Sequence, residues 1–383
     1  MMKPELFGAQ MMPDLARRLI ADQYQPDAES HRVSELRLDE VASPALRSDW
    51  LDVWNADPLG LPTQGPDWMS AAISLGLYRD ASRLYRFSDG TRAVLPLFSR
   101  AGIPAVLRCL ASPPAAWGYG GLLSDRPLTS AHYAIVVADL RSLNALQVSI
   151  RPNPFCSPDW NAVEGQRLLS LPKRAHVLTL SEDFGTIRAK RFSSNARRHL
   201  KTAEAAGLEL ISGHDPEIVK GFHALLMQSF DRWAAQQGEP PMLARLRGAR
   251  RDPLEKFLAI AEAVGPQLRI YLARHDSRPV AAIMVLYGRN AHYTRGAMNK
   301  SLAAPTAANY LLHAAAIEEA CRRGCGAYHM GETGQSKSLA DFKEKFGAVG
   351  LDYQEFRYER LPITRIDAML RRTAKRLLGM RDG

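Results

Sequence analysis

One order of elements occurs twice in this sequence, and it limits the fold more than any other feature. A helix, a hairpin, a strand, a second helix and another strand follow one another, and the series recurs about 190 residues later. In the first copy Asp67 precedes the helical run Trp68–Gly76. The strand-like runs Arg83–Phe87 and Arg92–Phe98 flank Ser88-Asp89-Gly90-Thr91, and Asp-Gly between such runs signals a hairpin. Pro104–Leu110 reads as a third strand, Thr129–Leu140 as a helix and Ala145–Ile150 as a strand. In the second copy the helix is Leu254–Val264, and Leu268–Arg274 and Pro279–Tyr287 form the hairpin around Asp276. His292–Gly296, the long helix Thr306–Arg323 and the strand Ala327–Gly331 follow, then a short helix over Leu339–Phe346 and a closing strand over Leu351–Tyr358. Helices between strands imply crossovers that cover the sheet faces. The expected fold class is therefore mixed α/β (α+β): two tandem units, each a twisted mixed sheet flanked by helices.

The expected organisation has four parts. Residues 1–48 read as a lead-in helix and linker, 49–175 as the first unit, 176–359 as the second and 360–383 as a basic amphipathic tail. Between the two hairpins lie a short strand at Val177–Leu180, a basic helix, a strand at Leu208–Ile211 and a long amphipathic helix over Pro216–Gln236. Arg245–Arg251, with four arginines, reads as a basic loop.

Charge narrows the partners. Lys and Arg number 50 against 40 for Asp and Glu, a net +10 that favours anionic partners. The densest cluster is Arg188, Lys190, Arg191, Arg197, Arg198 and Lys201, with no acid between Asp183 and Glu204. Ser193, Ser194 and Asn195 are good N-cap residues, and Gly207 is a plausible stop. Cations at a helix N-terminus oppose the macrodipole, so an anionic ligand would supply what the helix lacks. A solvated basic face is the competing reading. The tail holds seven cations against Asp367 and Asp382, beside Ile366, Met369 and Leu370. It fits either a membrane surface or docking on the protein itself.

No run has signal-peptide or membrane-spanning length, and the four cysteines suit a reducing compartment. The sequence thus predicts a soluble cytoplasmic protein, placed at the inner face of the membrane if the tail binds there. No HExxH, GxSxG, GxxxxGK[ST] or strand-linked GxGxxG pattern occurs, which disfavours common hydrolases, P-loop enzymes and dinucleotide-dependent dehydrogenases. The cysteines have no partners at zinc spacing, so no metal is expected.

Three stretches of the second copy carry candidate chemistry. Ala297–Asn309 is rich in small residues and leads into a helix, so Lys300, Thr306 and Asn309 are candidates for a pyrophosphate contact. An ordinary proline-capped helix start is the plainer alternative. Glu332 ends a strand in the Gly-rich turn Gly331-Glu332-Thr333-Gly334, where a carboxylate can bind an ammonium group or take its proton, or bond only loop amides. Lys343 follows Phe342, an expected core anchor, and a lysine fixed in this way can stabilise a phosphate or an oxyanion.

These residues stand in a series that resembles a known family. Gly296, Ala308-Asn309-Tyr310-Leu311-Leu312, Ile317, Gly324, Tyr328–Gly331 and Phe342-Lys343-Glu344-Lys345-Phe346-Gly347 look like the second domain of the FemAB-like branch of the GNAT acyltransferase superfamily. The opening Ser194-Asn195-Ala196-Arg197-Arg198 looks like that branch's basic helix. Trp50–Trp68, with its Pro-rich loop, is similar to acetyltransferases of cellulose and capsule biosynthesis. The likeness spans roughly residues 50–358 and is clearest over 265–350. It implies tandem GNAT folds around a cleft and transfer of an acyl group from acyl-CoA to an amine, on a cell-envelope or polysaccharide precursor. Aminoacyl-tRNA as donor, with a peptidoglycan precursor as acceptor, is the alternative within the branch. A scaffold that binds an anionic glycan, lipid or nucleic acid without turnover is the alternative outside catalysis. Carried over, Lys343 would stabilise the donor or leaving group, while Arg197 and Arg198 would hold a phosphorylated substrate. Glu332 is the candidate base, strand amides near Tyr293–Ala297 would hold the oxyanion, and Tyr293 and His329 are further expected substrate contacts. Two departures stand out. Family members often carry an aspartate where this chain has His329 and Glu332, and Leu339–Phe346 lacks the tyrosine that many CoA-dependent relatives use as an acid.

Overall fold

The computed structural model describes residues 36–156, 160, 168–237, 239–334 and 336–377. The first copy comprises β1 (Leu38–Ala42), α1 (Arg47–Ala56), α2 (Pro66–Ser74), β2 (Tyr78–Asp80), β3 (Arg83–Phe87), β4 (Arg92–Leu95), β5 (Phe98–Arg100), β6 (Cys109–Ser112), β7 (Leu123–Ser124), α3 (Ser130–Ser142), β8 (Gln147–Ile150) and β9 (Leu169–Thr179). The helices α4 (Phe184–Lys190) and α5 (Ser194–Ala205) connect it to the second. That copy holds β10 (Glu209–Gly213), α6 (Pro216–Gln237), α7 (Pro241–Arg251), α8 (Leu254–Val264), β11 (Leu268–His275), β12 (Arg278–Leu286), β13 (Ala291–Met298), α9 (Lys300–Ala303), α10 (Ala308–Arg322), β14 (Ala327–Glu332), α11 (Lys337–Glu344) and β15 (Val349–Glu359). A last helix, α12, runs over Ile363–Leu377.

Both hairpins form around their aspartates. β3 pairs antiparallel with β4, and β11 with β12. β11 and β12 are buried on both faces, and their side chains sort by the two-residue period. Ile270, Leu272, Met284 and Leu286 pack with Phe222 and Leu225 of α6 and Phe257 and Ile260 of α8. Tyr271, Ala273, Ile283 and Val285 pack with Leu312 and Ile317 of α10 on the other face. The first of these cores also takes Trp68, Met69, Ala71 and Ala72 of α2, so one core serves both copies. Full burial of such side chains stabilises by about 1.5–3 kcal/mol each.

Eleven strands make one continuous sheet, in the order β10-β11-β12-β13-β14-β9-β15-β8-β6-β5-β2, and β1-β3-β4-β7 make a second, smaller sheet. At the centre the copies exchange strands. β9, the last strand of the first copy, pairs with β14 of the second. β15, the last strand of the second, pairs with β8 of the first. β9 and β15 pair with each other antiparallel over nine residue pairs. Only β13–β14 and β6–β8 run parallel among the described strands.

Several local expectations change. A lead-in helix before residue 36 lies outside the described residues, while residues 38–42 are a strand instead of linker. The expected domain boundary at 175/176 falls inside β9, whose first six residues alternate with little burial and so carry a weak strand pattern. Ala105–Leu107 is a 3₁₀ turn with no buried residue, and the strand begins at Cys109. Arg245–Arg251 is helical, not loop, because Pro241 starts α7 at a tolerated position and arginine favours helix. The long helix starts at Ala308 instead of Thr306, since Ala307 adopts a left-handed conformation (φ 50°). Among the described residues no helix is long and apolar enough to cross a membrane.

Candidate active site

β13 and β14 pair at only two positions, Ala291↔Tyr328 and His292↔His329. Beyond His292, β13 stays paired with β12 through a one-residue register shift at Thr294, and β14 turns away at Gly331 (φ 74°). A Cβ at residue 331 would lie 3.2 Å from the Tyr293 carbonyl, so both the turn and the close approach call for glycine. The strands therefore splay, and a cavity of about 670 Å³ opens between them. Tyr293–Met298 form one wall, Met330–Glu332 another, and Phe342 and Lys343 of α11 a third. Lys300 and Asn309 close one side, and Arg232 and Trp233 at the end of α6 close another.

Lys343 is almost fully buried in this wall. Its Nζ donates to the carbonyls of Gly331 (2.9 Å) and Glu332 (3.0 Å) and to Thr333 Oγ1 (3.2 Å). Burial pushes its pKa down to about 7, while the Glu332 charge pulls the other way. The helix that carries it is fixed by Ser336, whose Oγ accepts from the Leu339 amide, a cap worth about 1 kcal/mol. Glu332 receives a hydrogen bond from Lys173 Nζ (3.0 Å) at Oε1 and from the Tyr353 hydroxyl (3.4 Å) at Oε2. Tyr293 leans over Gly296, where an added Cβ would meet its hydroxyl, and its ring meets the edge of His313 at 4.8 Å. Burial pushes the Tyr293 phenol up to about 12 and the His313 imidazole down to about 3, so both are neutral near pH 7.

Five of the nine candidate residues thus share one cavity: Glu332, Lys343, Lys300, Asn309 and Tyr293. Four lie elsewhere. The Thr306 hydroxyl donates to the Leu302 and Ala303 carbonyls, because the helix starts after it. Arg197 turns back on the carbonyls of Ala189 and Phe192, and Arg198 points to solvent. The basic cluster around them is partly neutralised by acids from outside it: Arg188 pairs with Glu204, and Lys190 with Glu182. Ser193 does cap α5, accepting from the Ala196 amide. His329 points to the other side of its strand, into the seam between the copies. There its ring meets Tyr119, Phe155 and His292, and neither nitrogen has a hydrogen-bond partner among the described residues. Burial holds it neutral, with a pKa near 3.

Sequence reasoning did not find Arg232, Trp233, Arg295 or His313 in the lining. Arg232 donates to the Met298 carbonyl at 2.8 Å, which ties the end of α6 to the end of β13. Arg295 reaches the Ala116 carbonyl of the first copy at 2.9 Å. The linear signal for these residues is slight, since each lies inside an element whose apolar pattern accounts for it. Among the described residues no group of three or more His, Cys, Asp or Glu side chains is placed to hold a metal ion.

Residues 190–344 match the family described as acetyltransferase (GNAT) domain. No match was found among curated proteins. Among solved structures the chain resembles FemX, at 12% identity and a TM-score of 0.62, over 85% of this chain and 99% of that one. A conserved protein of unknown function from Bacteroides thetaiotaomicron VPI-5482 matches at 13% identity and 0.49, over 82% and 99% of the two chains. A tandem GNAT protein from the clavulanic acid biosynthesis pathway matches at 15% and 0.45, over 85% and 98%. The splayed β13–β14 pair thus lies within the residues that match the GNAT acetyltransferase domain, and the chain as a whole shares the fold of FemX.

Proposed function

We propose that the β13–β14 cavity is the active site of an N-acyltransferase that carries an acyl group from acyl-CoA to an amine. The observation behind this reading is the convergence of Lys343, Glu332, Tyr293, Lys300 and Asn309 on one cavity inside the GNAT domain. Lys300, the first residue of α9, and Asn309, at the start of α10, suit the pyrophosphate of the donor. The amine nitrogen attacks the thioester carbon, the N–C bond forms, and the oxyanion is met by β13 amides on the side that has no strand partner beyond His292. The C–S bond then breaks. Neutral Lys343 takes the proton from nitrogen, the Tyr293 hydroxyl gives its proton to the departing thiolate, the task for which α11 offers no tyrosine, and the Tyr293 phenolate and the Lys343 ammonium return to neutral by taking up and releasing one proton each. Glu332, engaged with Lys173 and Tyr353, serves better as counter-charge for the incoming ammonium than as the base. Holding donor and amine in one cavity supplies an orientation contribution of several kcal/mol.

A partner follows from α12. Ile366, Met369 and Leu370 are exposed on it at helical spacing, with Arg365 and Arg372 exposed as well. Such a helix suits an anionic membrane surface, which would hold the enzyme beside an envelope or polysaccharide precursor bearing the acceptor amine.

The test is a thermal-shift screen of the full chain with acetyl-CoA, longer acyl-CoAs and charged tRNA, followed by thiol release in the presence of amines. A donor at a hundred times its Kd stabilises by about 2.7 kcal/mol. A response to tRNA alone would favour aminoacyl transfer. Response to neither, with retention on an anionic polymer, would favour a binding scaffold.

A further inference from the structure

The contacts of Lys343 continue behind the cavity wall. Thr333 Oγ1, which receives one of its hydrogens, lies 2.6 Å from His176 Nδ1. His176 belongs to β9, the exchanged strand, and its side chain is fully buried. Its Nε2 lies 3.3 Å from Glu344 Oε1, and the Glu344 side chain is half exposed. Lys343, Thr333, His176 and Glu344 thus run in line from the cavity to solvent, and only Lys343 lines the cavity.

The Thr333 hydroxyl has one hydrogen to give. With Nδ1 of His176 bare, that hydrogen goes to the ring, and the oxygen accepts from the Lys343 ammonium. With a hydrogen on Nδ1 the direction reverses, and the hydroxyl turns its hydrogen to the lone pair of a neutral Lys343. We infer that His176 is a positioning residue for the acyl transfer proposed above, exchanging a proton with Lys343 through the Thr333 hydroxyl so that the lysine can act as a base. One Nζ–H bond breaks as a new Thr333 O–H bond forms, and the original O–H bond breaks as Nδ1–H forms. The lysine is left neutral, and the imidazolium lies against the Glu344 carboxylate. Return of the proton along the same path restores the starting state.

The other groups facing Lys343 leave this exchange in place. Glu332 on β14 favours the ammonium, and His292 on β13 and His313 on α10 are held neutral by burial and by the Lys343 charge. His176 itself is disfavoured as imidazolium by burial and by the Lys343 and Arg174 charges, of which the Lys343 charge goes when its proton moves, and it is favoured by Glu344. Burial disfavours the charged form of both partners, and the Glu344 carboxylate beside Nε2 offsets part of that cost at His176.

The inference rests on the acyl-transfer reading, and its test separates the two. In the full chain, with lysine labelled at ¹³Cε, the Lys343 resonance is assigned by K343R and followed through a pH titration. T333V removes an acceptor of the ammonium, and H176F frees the hydroxyl to donate to the amine. Both are expected to lower the Lys343 midpoint, while T333S leaves it in place. In turnover T333V and H176F are expected to lose kcat at least about tenfold with donor KM within twofold, and T333S to retain it. Unchanged midpoints in both T333V and H176F would overturn the inference whatever the activity. Shifted midpoints with no acyl transfer by the wild type would support the proton exchange and end the acyl-transfer reading. T333V and T333S differ little in volume from threonine, so their comparison survives if H176F fails to fold.

Discussion

The two copies treat the same junction in opposite ways. Each sets a parallel strand pair beside the exchanged strands. In the first copy β6 and β8 pair through four positions, Cys109↔Gln147 to Ser112↔Ile150, and the bridge Gly120↔Pro152 extends the contact. The Gly121 amide donates to Ser112 Oγ at 3.1 Å, and Gln64 Nε2 donates to the Gly120 carbonyl at 3.0 Å. A Cβ at Gly120 would lie 2.7 Å from the Ser112 carbonyl carbon, so the loop fills the gap with backbone alone. In the second copy two paired positions are followed by a cavity of about 670 Å³. One scaffold therefore yields a brace where a loop seals the strands and a site where a glycine turn parts them.

Four experiments sharpen or break this contrast. The largest effect is expected for K343M, which keeps most of the volume and removes the ammonium. Turnover should fall about 10²–10⁴-fold, and the three stranded acceptors should cost about 1–3 kcal/mol of stability, read by thermal melting. Activity equal to wild type would remove Lys343 from the site. Next is pH. Lys343 must be neutral to accept a proton, and burial brings it down to about 7. The kcat of the wild type should therefore rise with pH up to about 7 and level off above it. A flat profile would show that another group is the base. G120A, in the sealed gap, should cost about 1–3 kcal/mol by overpacking with kcat unchanged. Loss of turnover without loss of stability would mean that the first copy takes part in the chemistry. The smallest effect is expected for K300A, a few-fold rise in donor KM at constant kcat, the mark of uniform binding.

Short-range chemistry was well written in the sequence. The Asp-Gly turn and the Asp276 turn specified both hairpins, Ser193 specified the start of α5, and the positive φ of Gly207 and Gly324 fits their role as helix stops. Lys343 and Glu332 were legible because strand ends and amphipathic helices have local signatures. The pairing of β9 with β14 was not, since nothing in Leu169–Thr179 names a partner some 150 residues away. For the same reason the link from Thr333 to His176, 157 residues apart, had no trace in the chain. The partial neutralisation of the basic cluster was hidden because Glu182 and Glu204, outside its bounds, fold back to pair with Lys190 and Arg188. His329 misled because strand alternation turns it away from its neighbours Met330 and Tyr328.

The exchange of β9 and β15 bears on how the protein comes into being. On one side β8 lacks its neighbour until residues 349–359 have left the ribosome, so the first copy waits for the second to be synthesised. A cut after residue 180, where a tandem repeat invites one, would leave each product holding a strand that the other needs. Halves expressed apart should be insoluble, whereas halves expressed together have the means to reassemble into one sheet.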